Sequence, residues 1–565
     1  MFLLLWFLAF SHRLFLQLGT VDRSWPFPVF YEGDAETFHR FALSILAGQT
    51  YDGGIPFHPP LYPLFLAACH ALLGNPASGL VLRMAHGAVY ALSVPLLWLW
   101  LRRHLTPGAA LAGALLAGWS FGLALISTAA VSEGLYLLIL LGGLLAFDRL
   151  RDVERGQGVP RRSIGEAVVP SAAAHARTVA GGFGGFALRR AILFGMLGGL
   201  LALTRAEGLG WALLLVAGGA AAAWRHARQS SKGAATTPAG IVPGTTGETA
   251  VVAAADAALA IRRAVLPWAV ALAVLCLTLA PWTIRNAVVL ARVNHLGTAG
   301  GLSPLPTFVV TTAYGPLNFA LGNYAGAPGY FTRGALTSGL HRDLLDLTDP
   351  QHRDLFLHGY RRGWDWMHGH PQDYLALAGR KLALLSRVLR LGWTQWNLPG
   401  GLKGTRFPVD MLTPDASLAI LVHLTLLLPG VWLLFAGKVG QSRARGCPLL
   451  IVAGGYILFS AAVTLAFFGY ARQGVPALAL LCGVEGTALA AGCGWLRRRV
   501  GGRLRGGVEG RVTGPRLVAG VIVLLWAVEF VGAFSARDFL ATGETRAGSR
   551  MLNRDSIMYL SPKSR

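Results

Sequence analysis

Long runs of apolar residues, each cut by a short polar or basic stretch, recur from the first residue to about position 534. A helix needs about 20 residues to cross the ~30 Å hydrocarbon layer of a bilayer, and most of these runs reach that length. Taken with their flanks, they predict membrane-spanning helices at 2–19, 80–101, 107–127, 131–149, 190–204, 207–224, 266–288, 415–436, 448–468, 474–496 and 516–534. The pattern is therefore that of an all-α integral membrane protein with about eleven spans. The run from Pro60 to Leu73 is apolar but short and opens on Pro59-Pro60, so it is expected to be re-entrant or interfacial.

That choice sets the topology. With the N-terminus inside, the loops that become cytoplasmic are 102–106, 150–189, 225–265, 437–447 and 497–515, and all are basic, the last carrying Arg497-Arg498-Arg499. The first outside loop, 20–79, holds Asp22, Glu32, Asp34, Glu36 and Asp52 against Arg23 and Arg40. Cytoplasmic loops of membrane proteins carry the excess of lysine and arginine, and this asymmetry follows that rule. A spanning Pro60–Leu73 helix would invert every later loop.

Composition agrees with lipid as the solvent: of 565 residues 54% are hydrophobic and only 14% charged, against about 25% charged in ordinary soluble domains. The formal net charge of +23 sits in short loops, without the aromatic-interleaved basic domain of a nucleic-acid reader, so no nucleic-acid partner is expected. Cys69, Cys276, Cys447, Cys482 and Cys493 lie singly, without the spacing of a zinc or redox motif. The N-terminal run lacks a basic n-region and a cleavage site, which reads as a retained first helix.

Two loops, 150–189 and 225–263, carry too few large apolar residues to fold and are assigned no chemistry. The outside stretch 291–412 instead mixes Tyr, Trp, Asn, Asp and Pro, as in GPLNFALGNYAGAPGY, and predicts a folded extracytoplasmic segment. The expected organisation is a transmembrane module at 1–290 containing the acidic loop 20–79, the segment 291–412, C-terminal helices at 413–535 and a tail at 536–565.

Candidate chemistry gathers on the outside face. Asp34 opens an amphipathic helix in which Phe38, Phe41, Ala42 and Ile45 share a side; it can be that helix's N-cap, with Glu36 favoured near the positive end of the dipole, or a catalytic carboxylate. Glu133, in TAAVSEGLYLLIL, is a helix-start signal with Ser132 or a second functional carboxylate. Arg205, Arg285 and Arg472 break the positive-inside bias. Each alone could snorkel to the interface, but three on one face suit a phosphate clamp, because the guanidinium fork matches phosphate oxygens. His39, His58, His368 and His370 form no strong ligand spacing, so no metal site is assigned.

Gly33-Asp34-Ala35-Glu36 after the first helix, followed by His58-Pro59-Pro60, resembles the GT-C glycosyltransferases of the protein O-mannosyltransferase and lipid A aminoarabinose transferase type. The resemblance is clearest over 1–300. It implies a GT-C-like fold and transfer of sugar from a polyprenyl-phosphate donor, at the extracytoplasmic face of the cell inner membrane, to a protein, lipid or glycan acceptor, without a cofactor. The family's acidic motif is usually Asp-Glu; Ala35 separates the pair here, so the catalytic role passes to Asp34 before Glu36. By position and charge the resemblance adds Glu133 as the second carboxylate, and Arg205, Arg285, Arg472 and His58 as donor-phosphate ligands.

The chemistry is coherent, since a hydroxyl acceptor must lose a proton while the departing phosphate gains charge, which calls for a carboxylate base and fixed cations. No Walker loop, dinucleotide fingerprint or nucleophile elbow occurs in a suitable context. Two other classes compete. A polytopic transporter or lipid flippase would place ionisable residues near mid-membrane in broken helices, and an assembly subunit of the envelope would not need paired acidic and basic groups.

Overall fold

The computed structural model describes residues 1–20, 34–49, 52, 55–74, 79–120, 123–124, 130–154, 172–236, 248–299, 301–332, 334–336, 345, 347–386, 388–391, 416–436 and 447–503. Among these residues the regular structure is helical throughout, with no strand. Six stretches are long and apolar enough to cross a membrane: Met84–Leu101, Phe186–Thr204, Glu207–Gln229, Ala258–His295, Pro448–Ala466 and Arg472–Trp495. They coincide with six of the expected spans. The apolar parts of the helices near 2–19, 107–127 and 415–436 are shorter, at Phe2–Leu14, Pro107–Trp119 and Ile420–Phe435. The Glu133–Glu154 helix has the length but carries Asp148, Arg149 and Arg151 in its second half. The span expected at 516–534, the tail 536–565 and the end of the 291–412 segment lie outside the described residues.

Where the structure departs from expectation, local chemistry explains it. The helix expected at 107–127 ends at Trp119: Ser120 leaves helical geometry (φ −57°, ψ 120°) while its N–H still bonds Leu116 O, and its hydroxyl then accepts from the N–H of Leu123 at 3.4 Å. A serine that satisfies the next turn's orphan donor favours a break over continuation. The loops read as unfolded at 150–189 and 225–263 are in large part helix, since helices run over Ala172–Thr204, Glu207–Thr236 and Glu248–Ala299. Alanine, the strongest helix former, is abundant in these stretches, though Gly181, Gly182, Gly184 and Gly185 work against it in the first. Low hydrophobicity was a poor guide there.

The chain forms two compact units, Met1–Leu138 with Asn286–Arg565, and Ile139–Arg285. In the smaller unit Trp268 is 1% exposed and centres a core of Phe147, Phe194, Leu150, Val216 and Ala271. Its ring centroid lies 5.4 Å from that of Phe147 and 5.9 Å from that of Phe194, the edge-on geometry that aromatic quadrupoles prefer.

In the larger unit the Pro107–Trp119 and Val475–Arg503 helices cross so closely that a Cβ on Gly486 would sit 2.2 Å from the backbone nitrogen of Gly113. Lipid tails give no hydrophobic drive for helices to associate, so contact of this kind rests on small residues that let backbones approach. His423 and Glu485 pair at 2.5 Å between the Ala416–Phe435 and Val475–Arg503 helices, both buried.

The segment after the Glu248–Ala299 helix folds onto this unit through a second core. Phe57, Leu290, Leu305, Tyr314, Leu317, Phe331, Phe356 and Phe468 are buried together. Asn294 clamps it, donating to Leu305 O at 2.7 Å and accepting from Leu305 N at 2.6 Å. Asp349 caps the Pro350–Gly369 helix by accepting from the N–H groups of Gln351 and His352 at 2.8 and 3.1 Å.

The Gly113–Gly486 crossing gives a stability test. Gly486→Val should prevent accumulation of monodisperse protein or lower its melting temperature sharply, as overpacking against backbone does. Gly492→Val, at a position with open space around its Cβ, should leave melting within about 2 °C, as neutral surface changes do. Size-exclusion chromatography and thermal melting in detergent measure both.

Candidate active site

Three distant parts of the larger unit meet at Arg472. Its Nη2 donates to Asp34 Oδ2, and its Nε lies 3.3 Å from Glu133 Oε1. The Arg472 and Asp34 side chains are about one quarter exposed, whereas that of Glu133 is 2% exposed. A carboxylate so deep is costly to hold charged without a cation beside it. Arg472 supplies that cation while presenting itself at the rim.

Each side chain has its own support. Asp34 begins the Asp34–Leu46 helix, which closes on Gly48 (φ +66°) with the Gln49 N–H reaching Ser44 O at 2.8 Å. That helix buries Phe38 and Ala42, two of the four residues expected on one face, while Phe41 and Ile45 are half-buried. Phe38 meets Tyr62 edge-on at 4.8 Å and His58 at 4.6 Å. Phe57 carries the contact on to Tyr314 at 4.5 Å, and Tyr314 to Phe356 at 5.2 Å. The partner helix, Leu61–Leu73, has 13 residues, so it extends about 20 Å and is short for a span, as expected for an interfacial or re-entrant element.

Glu133 stands in the first turn of its helix, beside buried Ser132. A Cβ on the following Gly134 would meet the Tyr90 ring at 2.3 Å, and the Tyr90 hydroxyl donates to Val131 O at 3.4 Å. The Tyr90 ring therefore packs directly on the backbone that presents Glu133. Arg472 opens from a 3-10 turn, Ala471–Gly474, after extended Tyr470, and its guanidinium lies 5.4 Å from the Tyr470 ring centre.

The other expected site residues stand as follows. His58 lies within the same aromatic group, with rings of Phe38, Phe41 and Phe57 around it. The Glu36 side chain lies outside the described residues. Arg205 and Arg285 belong to the smaller unit and are engaged locally, Arg205 with Glu207 and Arg285 over the Trp282 ring at 4.6 Å. His368 and His370 are exposed at the end of the Pro350–Gly369 helix, His368 tilted against the Trp364 ring and His370 stacked on Trp366.

Sequence reading missed two features of this unit. His39 Nδ1 lies 3.1 Å from His70 Nε2, and burial together with the neighbouring His70 lowers His39 to about 4, so the pair is held as neutral imidazoles. Lys381 is fully buried, donating to Asn323 Oδ1 at 2.9 Å and Leu465 O at 2.8 Å. Its signal was in the sequence: Lys381 falls four residues after buried Leu377, on the inward stripe of the Pro371–Ser386 helix.

No protein-family model matches the sequence, and no curated protein matches it. Among solved structures the chain is similar to the Archaeoglobus fulgidus oligosaccharyltransferase in its apo form, with TM-score 0.45 and 12% identity over 96% of this chain and 56% of that one. The same enzyme tethered through a disulfide to an acceptor peptide containing an NVT sequon gives TM-score 0.43 and 12% identity, over 95% and 55%. The archaeal oligosaccharyltransferase AglB from that organism, in complex with an inhibitory peptide and a dolichol-phosphate, gives TM-score 0.39 and 14% identity, over 94% and 55%. This chain thus spans little more than half the length of those proteins, and no residue role is transferred from them.

Lys381 yields a pH prediction. Burial lowers its amine to about 7, against about 10.4 for a free lysine, so between those values the unfolded chain binds a proton that the folded chain does not. Stability must then rise with pH across that window. The melting temperature of the wild type minus that of Lys381→Met should increase from pH 7 to about 10. A flat difference would show that the amine titrates normally, and a falling one that folding favours its charged form; either contradicts the prediction.

Proposed function

We propose that this protein is a membrane glycosyltransferase of the GT-C kind, moving a sugar from a polyprenyl-phosphate carrier to an acceptor hydroxyl on the extracytoplasmic side of the cell inner membrane. The observation that carries the reading is the convergence of Asp34, Glu133 and Arg472 from three separate stretches of chain on one ion-paired centre. Neither capping nor snorkelling requires them to meet. The acidic first loop and the basic loops 102–106 and 497–515 support the extracytoplasmic assignment.

In this mechanism Asp34 accepts the proton of the acceptor as its heteroatom attacks the anomeric carbon. The bond from that carbon to the phosphate oxygen breaks, and its electrons remain on the phosphate as a monoester. Arg472 neutralises that charge, and buried Glu133 holds the guanidinium in place. The ion pair adds a step: a donor phosphate that draws Arg472 away frees Asp34 Oδ2 to receive the acceptor's proton.

A transporter or lipid flippase is the second reading, favoured by the buried His423–Glu485 pair between two apolar helices, one of them containing Pro429. On the glycosyltransferase reading that pair holds helices together, and a Glu485→Gln variant that folds keeps sugar transfer.

Farnesyl phosphate, a short polyprenyl monophosphate, serves as the binding probe. Arg472→Gln, which keeps N–H donors but loses the charge, should weaken its binding about ten- to a hundredfold, as expected for one charge-assisted contact of roughly 1.5–3 kcal/mol. Asp34→Asn should abolish transfer, a loss of about 10²–10⁴ in rate, yet bind the probe as well or up to about fivefold tighter, because a competitor for the guanidinium is gone. Asparagine caps a helix about as well as aspartate, so folding is preserved. Probe binding unchanged in Arg472→Gln and full transfer by Asp34→Asn would remove both assignments.

A further inference from the structure

The last carbonyls of a helix have no partner within it, and when buried they need one from elsewhere. At the end of the Cys447–Ala466 helix those partners come from two other elements. Lys381 donates to Leu465 O at 2.8 Å, and Asn323 donates to Ala466 O at 2.8 Å. Lys381 and Asn323 are joined to each other at 2.9 Å, and Asn323 also donates to Phe319 O at 2.8 Å.

The chain that leaves this grip has little freedom before it reaches Arg472. A Cβ on Gly469 would lie 2.3 Å from Lys381 O, so only glycine lets the backbone pass the lysine. Gly469 N donates to Gly329 O at 2.8 Å, and the Tyr470 hydroxyl accepts from Phe331 N at 2.8 Å. Phe468 is buried against Phe331, and a Cβ on Gly474 would meet Val388 at 2.7 Å. These points hold the chain on both sides of Arg472, whose guanidinium bridges Asp34 and Glu133.

We propose that Lys381 is a positioning residue for Arg472: with Asn323 it grips the end of the Cys447–Ala466 helix and so sets where the following turn delivers the guanidinium. An apolar residue would fill the volume but leave Leu465 O and Asn323 Oδ1 without this donor. Charged or neutral, the amine has N–H groups for both acceptors, so the grip persists when burial brings its pKa to about 7. The inference rests on Arg472 as the phosphate ligand proposed above.

A double-mutant cycle on farnesyl phosphate affinity tests it, with melting temperature read in parallel. Lys381→Met alone should weaken the probe about tenfold, the scale of a displaced binding group. In an Arg472→Gln background the same substitution should cost less than about twofold in affinity, because the group it positions is already disabled, while its effect on melting persists in both backgrounds. Asn323→Ala, which deletes one arm only, should repeat the pattern at smaller size and carries the test if Lys381→Met does not accumulate. Equal losses of affinity in both backgrounds, or lowered melting with unchanged affinity, would make Lys381 a purely structural cap and overturn the proposal. If Arg472→Gln alone leaves probe binding unchanged, the phosphate assignment itself fails, a result distinct from either.

Discussion

A buried carboxylate needs a cation, and at Glu133 the cation is Arg472, held by its other edge to Asp34. The local fold can be understood as a means of bringing that arginine there. Glu133 arrives by way of a helix start set against Tyr90, Asp34 by way of a short helix anchored in an aromatic group, and Arg472 by way of a clamped turn. The three elements share no sequence proximity, so the ion pair also ties distant parts of the chain together. Its exposure is graded, with the deepest group the most confined and the two rim groups reachable.

This gradation matters for the proposed chemistry. A fully exposed pair would be worth little and would be screened by salt, whereas a fully buried one could not exchange partners. Placing Glu133 inside and Asp34 at the rim lets one carboxylate keep the arginine in register while the other is released. The Phe57–Tyr314–Phe356 contacts link that rim to the folded segment beyond residue 290, so this segment is part of what holds the centre.

Much of this was legible in the sequence because lipid is an unforgiving solvent. Glu133 stood out as a charge near membrane depth, Arg472 as an arginine against the positive-inside bias and Asp34 as the opening residue of the helix in the acidic outside loop, and the geometry brings those three together. Six spans were legible from length and hydropathy. The end of a helix at Ser120 was not, since it depends on one side chain outcompeting the backbone. The stretches ahead of the expected spans at 190–204 and 266–288, in the helices Ala172–Thr204 and Glu248–Ala299, were missed because no apolar stripe marks them. Pairs such as Lys381 with Asn323, or His423 with Glu485, lie 58 and 62 residues apart in sequence, and no single-sequence pattern announces a partner at that distance. Arg205 and Arg285, read as members of the same clamp, have local partners within the smaller unit.

The central claim is that the Asp34–Arg472–Glu133 centre transfers a sugar from a lipid phosphate. Purified protein incubated with a panel of polyprenyl-phosphate sugars and acceptors should release free polyprenyl phosphate from at least one donor, and Asp34→Asn protein of equal melting temperature should not. Release by both proteins at the same rate, or by neither while the wild type moves intact lipid or solute across a vesicle membrane, would contradict it.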